Sequence, residues 1–318
     1  MFRTLVVPLD GSDLAERALP YAVRMTKVGG GRLVLHRDAP APVSVDLVDV
    51  QRYQVDTLAE AQAYLSSVAA RVSPIVPTAT AASYGHAPAE AILQTVASHS
   101  ADGIVMATHG RSGLPHLLYG SVAESVLASS HVPVFLVHAR PGESPAAPFD
   151  PMAARIMVPL DGSSFAEAAL ATAVEFVGPA GELVLVSVVQ PPDHIEMDVN
   201  RRFVVAYLDQ QEEARTRETR EYLDAVAGQV RQTYPGIHVS PEVRINDAAS
   251  EGITFAAAER AVDLVVMATH GLIGLRRAVL GSVAGGVLRT GSTPLLLVGP
   301  GVSHAQSKSE LFEAAAGA

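Results

Sequence analysis

The chain is built twice from one pattern. Val7-Pro8-Leu9-Asp10-Gly11-Ser12 recurs letter for letter as Val158-Pro159-Leu160-Asp161-Gly162-Ser163. Val105 to Gly110 recurs as Val266 to Gly271, and Gly120-Ser121-Val122-Ala123 as Gly281 to Ala284. Identical blocks in identical order mark a duplicated domain. Pro8 and Pro159 are 151 positions apart, whereas Gly110 and Gly271 are 161 apart. The second copy therefore carries extra residues, which the pattern places in its second helix, around 202–231.

The blocks divide the chain into domains at 1–138 and 154–299. A Pro-rich linker over 139–153 (Pro141, Pro145, Pro148 and Pro151) lies between them, and a tail follows over 300–318. With 318 residues, each copy is close to the usual domain size of roughly 150. Hydrophobic residues make up 48% of the chain, enough for two cores. The net charge of −10 argues against nucleic-acid binding, which needs clustered Lys and Arg. There is no cysteine, which excludes disulfides, thiolate metal sites and cysteine nucleophiles. Met1-Phe2-Arg3-Thr4 runs directly into Leu5-Val6-Val7, so no signal peptide is expected. No apolar run approaches the ~20 residues that span a bilayer. The expectation is a soluble cytoplasmic protein without a membrane partner.

Each copy reads as alternating strands and helices. In the first, strands are predicted at Leu5–Val7, Leu33–Leu35, Thr78–Tyr84, Gly103–Met106 and Val132–Val137. Helices are predicted over Asp13–Lys27, Val50–Val72, Ala89–Ser98 and Ser121–Ser129. In the second, the strands are Arg155–Val158, Leu183–Val188, His238–Val243, Leu264–Met267 and Leu295–Val298. The fold class is α/β: two tandem doubly wound domains, each with a five-stranded parallel sheet of order 3-2-1-4-5. That order sets strands 1 and 4 side by side at the point where strand order reverses, and ligands bind beyond the carboxyl ends there. Asp10 and Asp161 close strand 1, while Ala107-Thr108-His109-Gly110 and Ala268-Thr269-His270-Gly271 close strand 4. Distant motifs are thus predicted to meet.

Glycine followed by serine at a helix start leaves unsatisfied N–H groups, reinforced by the helix dipole. Gly120-Ser121-Val122 and Gly281-Ser282-Val283 are therefore phosphate cradles in prospect. For Asp10 and Asp161 two readings stand. They are turn residues ahead of the capping Ser12 and Ser163, or they contact a ribose, a base edge or a Mg²⁺ that bridges to phosphates. His109 and His270 are phosphate contacts or turn residues bonded to backbone. No P-loop, dinucleotide fingerprint or nucleophile elbow is present. Any hydrolysis is expected to be slow, because no general base or carboxylate pair can be assigned. Strand 5 is apolar in both copies and lies at a sheet edge. The two edges are expected to pair with each other or across chains in a homodimer.

These residues resemble the universal stress protein family in its tandem form, over about 1–138 and 154–299. The family's nucleotide-binding members carry G-x-x-G, nine residues, then G-S or G-T. The resemblance implies ATP or a related adenine nucleotide as ligand and a binding role in stress adaptation. It also implies phosphate and ribose contacts from Gly110, Gly120 and Ser121 and from Gly271, Gly281 and Ser282. The strand-1 aspartates match Asp10 and Asp161, with Pro8, Leu9, Pro159 and Leu160 near the adenosine. The first motif glycine is replaced by Ala107 and Ala268. The adenine-contacting position at the end of strand 2 is matched to Val188, and to Arg37 in the first copy. A nucleotide-free oligomeric interaction module and a slow ATPase are the alternatives.

Overall fold

The computed structural model describes residues 2–41, 50–108, 120–138, 150, 153–191, 201–269 and 281–299. The calls on His109, Gly110, His270 and Gly271, on most of the linker and on the tail lie outside them. Contacts divide the chain into two units.

The first unit opens with β1 (Thr4–Pro8), whose apolar residues are buried on both faces, as a covered parallel sheet requires. Ser12 then caps α1 (Asp13–Glu16), its hydroxyl accepting from the Ala15 amide at 3.2 Å. The single helix expected over Asp13–Lys27 is instead two, α1 and α2 (Leu19–Gly29). Pro20 has no amide to donate to the preceding turn, so the helix restarts. Gly30 ends α2 in the left-handed conformation, φ 63°. Next come β2 (Arg32–Ala39), α3 (Val50–Val72), β3 (Thr78–Tyr84), α4 (Pro88–Ser98), β4 (Gly103–Ala107), α5 (Ser121–Ser129) and β5 (Val134–Val137). The strands lie in the order β3-β2-β1-β4-β5, every neighbouring pair parallel.

The second unit repeats this with β6 (Arg155–Pro159), α6 (Ser164–Val174), β7 (Glu182–Val189), α7 (Arg201–Thr233), β8 (His238–Ile245), α8 (Ala249–Glu259), β9 (Leu264–Ala268) and α9 (Ser282–Thr290). Its order β8-β7-β6-β9 is the same winding. α6 has no proline and is one continuous helix. The insertion falls where the pattern put it: α7 has 33 residues against 23 in α3. The last strand, β10 (Leu295–Val298), groups with the first unit. It pairs antiparallel with β5, Leu296 opposite Phe135, and all four of its residues are buried. The two apolar strand-5 segments thus cover one another, as unpaired edges demand.

One alignment is corrected by strand register. β1 pairs with β2 as Pro8 with His36, whereas β6 pairs with β7 as Pro159 with Val186. The amides of Leu9 and Leu160 donate to His36 O and Val186 O, both at 2.8 Å. His36 therefore corresponds to Val186 and Asp38 to Val188. Arg37 is not the counterpart of Val188. The β6–β7 connection is one residue shorter than β1–β2, and a slip of one residue moves a side chain to the other face of a strand.

Candidate functional site

A cavity of about 320 Å³ opens beyond the carboxyl ends of β1, β2 and β4. Three walls come from residues singled out in the sequence. Pro8, Leu9 and Asp10 follow β1, Ala107 ends β4, and Gly120, Ser121 and Val122 begin α5. The amide of Gly120 donates to Thr108 O at 2.8 Å, which holds the start of α5 against the end of β4.

Asp10 closes the turn that its position suggested. Its Oδ1 accepts from the Ser12 amide at 2.9 Å and the Ser12 hydroxyl at 2.6 Å, the bonds of an Asx turn. Gly11 between them sits at φ 87°, a conformation that side chains rarely adopt. The same carboxylate also lines the cavity. At the opposite wall, Gly120 caps α5 with extended backbone and no side-chain cap. The amides of Ser121, Val122 and Ala123 are left as donors at the positive end of the helix dipole.

The second unit repeats these local features. Asp161 Oδ1 accepts from the Ser163 amide at 3.0 Å and its hydroxyl at 2.5 Å, with Gly162 at φ 84°. Pro159 ends β6 with Leu160 beyond it, Val188 lies near the end of β7, and Ala268 ends β9. Gly281 caps α9, again without a side-chain bond, and Ser282 and Val283 open that helix.

Sequence reasoning missed the wall made by β2 and α4. His36, Asp38, Pro88 and Ile92 line the cavity, together with Ala15, Met106, Thr108 and Ala123. His36 is buried, with Nδ1 2.9 Å from Thr95 Oγ1 and Nε2 without a hydrogen-bond partner. Burial, outweighing the attraction of Asp38, lowers its pKa to about 4, so the imidazole is neutral near pH 7. Asp38 accepts from the Ser83 hydroxyl at 2.5 Å, with His86 Nδ1 3.7 Å away. Arg37 packs its guanidinium over the Tyr64 ring, 4.7 Å from its centroid. The signal was present in the alternation of β2. His36 and Asp38 are polar residues two apart, on one face of the strand, just beyond its buried run Leu33-Val34-Leu35.

Among the described residues, no group of three or more His, Asp or Glu is placed to hold a metal ion. No helix among them is long and apolar enough to cross a membrane.

The winding and the crevice at its reversal point define a doubly wound α/β protein with an open pocket at its topological switch point. The chain belongs to the Universal stress protein family, which it matches over residues 1–138 and again over 152–299. It is 34% identical over 138 residues to a universal stress protein of Thermus aquaticus, covering 43% of this chain and 99% of that one. A universal stress protein of Mycobacterium tuberculosis is 28% identical over 201 residues, 63% of this chain and 62% of the relative. The crystal structure of a universal stress protein from Archaeoglobus fulgidus shares the fold, with a TM-score of 0.66 at 21% identity. That likeness covers 93% of this chain and 98% of the other.

Proposed function

We propose that this chain binds ATP or a related adenine nucleotide and acts in stress adaptation as a binding and signalling protein. One observation carries the reading: the carboxylate beyond β1 and the uncapped amides of α5 line the same cavity. Helix amides attract phosphate, whereas Asp10 would repel it and suits a ribose hydroxyl instead. The cavity volume lies in the range of small-molecule sites. The residues present therefore fit a nucleotide with its phosphates at Ser121 and Val122. His109 and Gly110, with Gly271, Gly281 and Ser282 in the second copy, complete the proposed contacts. The domains at 1–138 and 154–299 each carry one such site, and Mg²⁺ would be held chiefly by the nucleotide's own phosphates.

A substitution that spares the fold tests this. Gly120 (φ −61°, ψ 145°) and Gly281 (φ −53°, ψ 148°) have the extended backbone that a following proline requires. Proline is also well tolerated at the first helical position. Ser121→Pro and Ser282→Pro each delete one amide donor and one hydroxyl. By calorimetric titration the double variant is expected to bind ATP about tenfold or more weakly, the loss of a charge-assisted bond of roughly 1.5–3 kcal/mol. Ser121→Ala with Ser282→Ala isolates the hydroxyls. Equal ATP affinity in the wild type and the proline variant would overturn the site.

A further inference from the structure

We propose that Asp38 and His36 hold the base of the bound nucleotide by its amino edge. Asp38 accepts from the exocyclic amine, and His36 Nε2 donates to an adjoining ring nitrogen. The proposal rests on the nucleotide reading above and adds the residues that would make the first cavity selective.

Both side chains stand on one face of β2, two residues apart, and both line the cavity. His36 is only 2% exposed, and its Nε2 has no hydrogen-bond partner. A buried polar atom left unpaired is costly, and its persistence beside a cavity points to a ligand atom that pairs with it. Nδ1 faces the Thr95 hydroxyl. With that hydroxyl donating to Nδ1, the neutral ring carries its proton on Nε2, the nitrogen left without a partner. Asp38 is nearly as enclosed, its side chain 7% exposed. The Ser83 hydroxyl and the more distant His86 ring both approach Oδ1, so the carboxylate keeps acceptor capacity at Oδ2. An acceptor beside a donor matches the amine and ring nitrogen of adenine. In the second copy the same register positions are Val186 and Val188, which carry neither group. The first copy thus has a polar base wall where the second is apolar.

The two valines also suggest the variants, since β7 carries them at the same register positions. Asp38→Val and His36→Val are to be titrated with ATP, with purine riboside triphosphate, which lacks only the amine, and with GTP. The wild-type chain is expected to prefer ATP to the amine-free analogue by about tenfold or more at one site per chain. Asp38→Val is expected to abolish that preference while still binding both ligands through their phosphates. His36→Val is expected to weaken both ligands alike, since the ring nitrogen is common to them. Undiminished preference in Asp38→Val overturns this assignment and leaves nucleotide binding intact. A preference for GTP overturns it too, because guanine's O6 and N1–H also match a donor beside a carboxylate. Absence of ATP binding in the wild type overturns both readings.

Discussion

Phe135→Ala is expected to lower the unfolding free energy by roughly 3–5 kcal/mol, the range for truncating a large aromatic in a core that cannot collapse around the gap. Phe135 is 1% exposed in the middle of β5, between Val105 of β4 and Leu296 of β10. Its ring lies 5.7 Å from that of Tyr21 on α2, tilted by 40°. Strands on both sides and a helix above fix the walls, so the cavity would stay open. Val55→Ala is the control, since Val55 is 65% exposed and its loss is expected to cost less than about 0.5 kcal/mol. Urea unfolding followed by circular dichroism measures both. A shift for Phe135→Ala no larger than the control would mean that β5 is not the packed centre described here.

The same strand shows why the fold was legible. Val134 to Val137 and Leu295 to Val298 are runs of four apolar residues, with no polar face to turn to water. Such segments have to be covered on both faces and along both edges, and their pairing follows from that demand. The duplicated blocks supplied the rest, because two copies of a motif at strand ends leave few topologies in which they fail to meet. The break at Pro20 was equally open to reading, since a proline in a helix interior removes a bond. The apolar spacing runs on through Pro20, however, and by itself predicts one continuous helix.

The site was legible only in part, for a physical reason. Asp10, Gly120 and Ser121 announce themselves by backbone requirements: a positive φ after the aspartate, an uncapped helix start after the glycine. Such requirements leave residue types fixed in place. The base wall has no such signature. His36 and Asp38 belong to a strand whose residues are chosen by alternation, and counting from a fixed offset fails once a connection loses one residue. That slip put Arg37 opposite Val188 and hid Asp38. Only the hydrogen-bond register, Leu9 to His36 and Leu160 to Val186, sets the count right.

Acidification from pH 6.5 to about 4 is expected to remove roughly 3 kcal/mol of stability through His36 alone. Burial is the largest cause of its lowered pKa. The rings of His86 and His99 act in the same direction and the Asp38 carboxylate against it. In the unfolded chain the ring takes up a proton near its ordinary value of 6.5, whereas in the folded chain it does so only near 4. Between those values the unfolded state binds the extra proton, so stability rises with pH and falls as the solution is acidified. The contribution is fully present above pH 6.5, shrinks on the way down to about 4 and is flat below. At about 1.4 kcal/mol per pH unit, the interval gives the figure of roughly 3. His36→Val has no such proton to bind, and Thr95 is able to turn its hydroxyl to the preceding turn of its own helix. The difference in unfolding free energy between wild type and His36→Val, measured by urea titration at steps from pH 7.5 to 3.5, isolates the ring from every other carboxylate and histidine. That difference is expected to move against the wild type by about 3 kcal/mol across the window. A difference that stays constant with pH would mean that the imidazole is solvated, and the buried base wall would lose its deepest member.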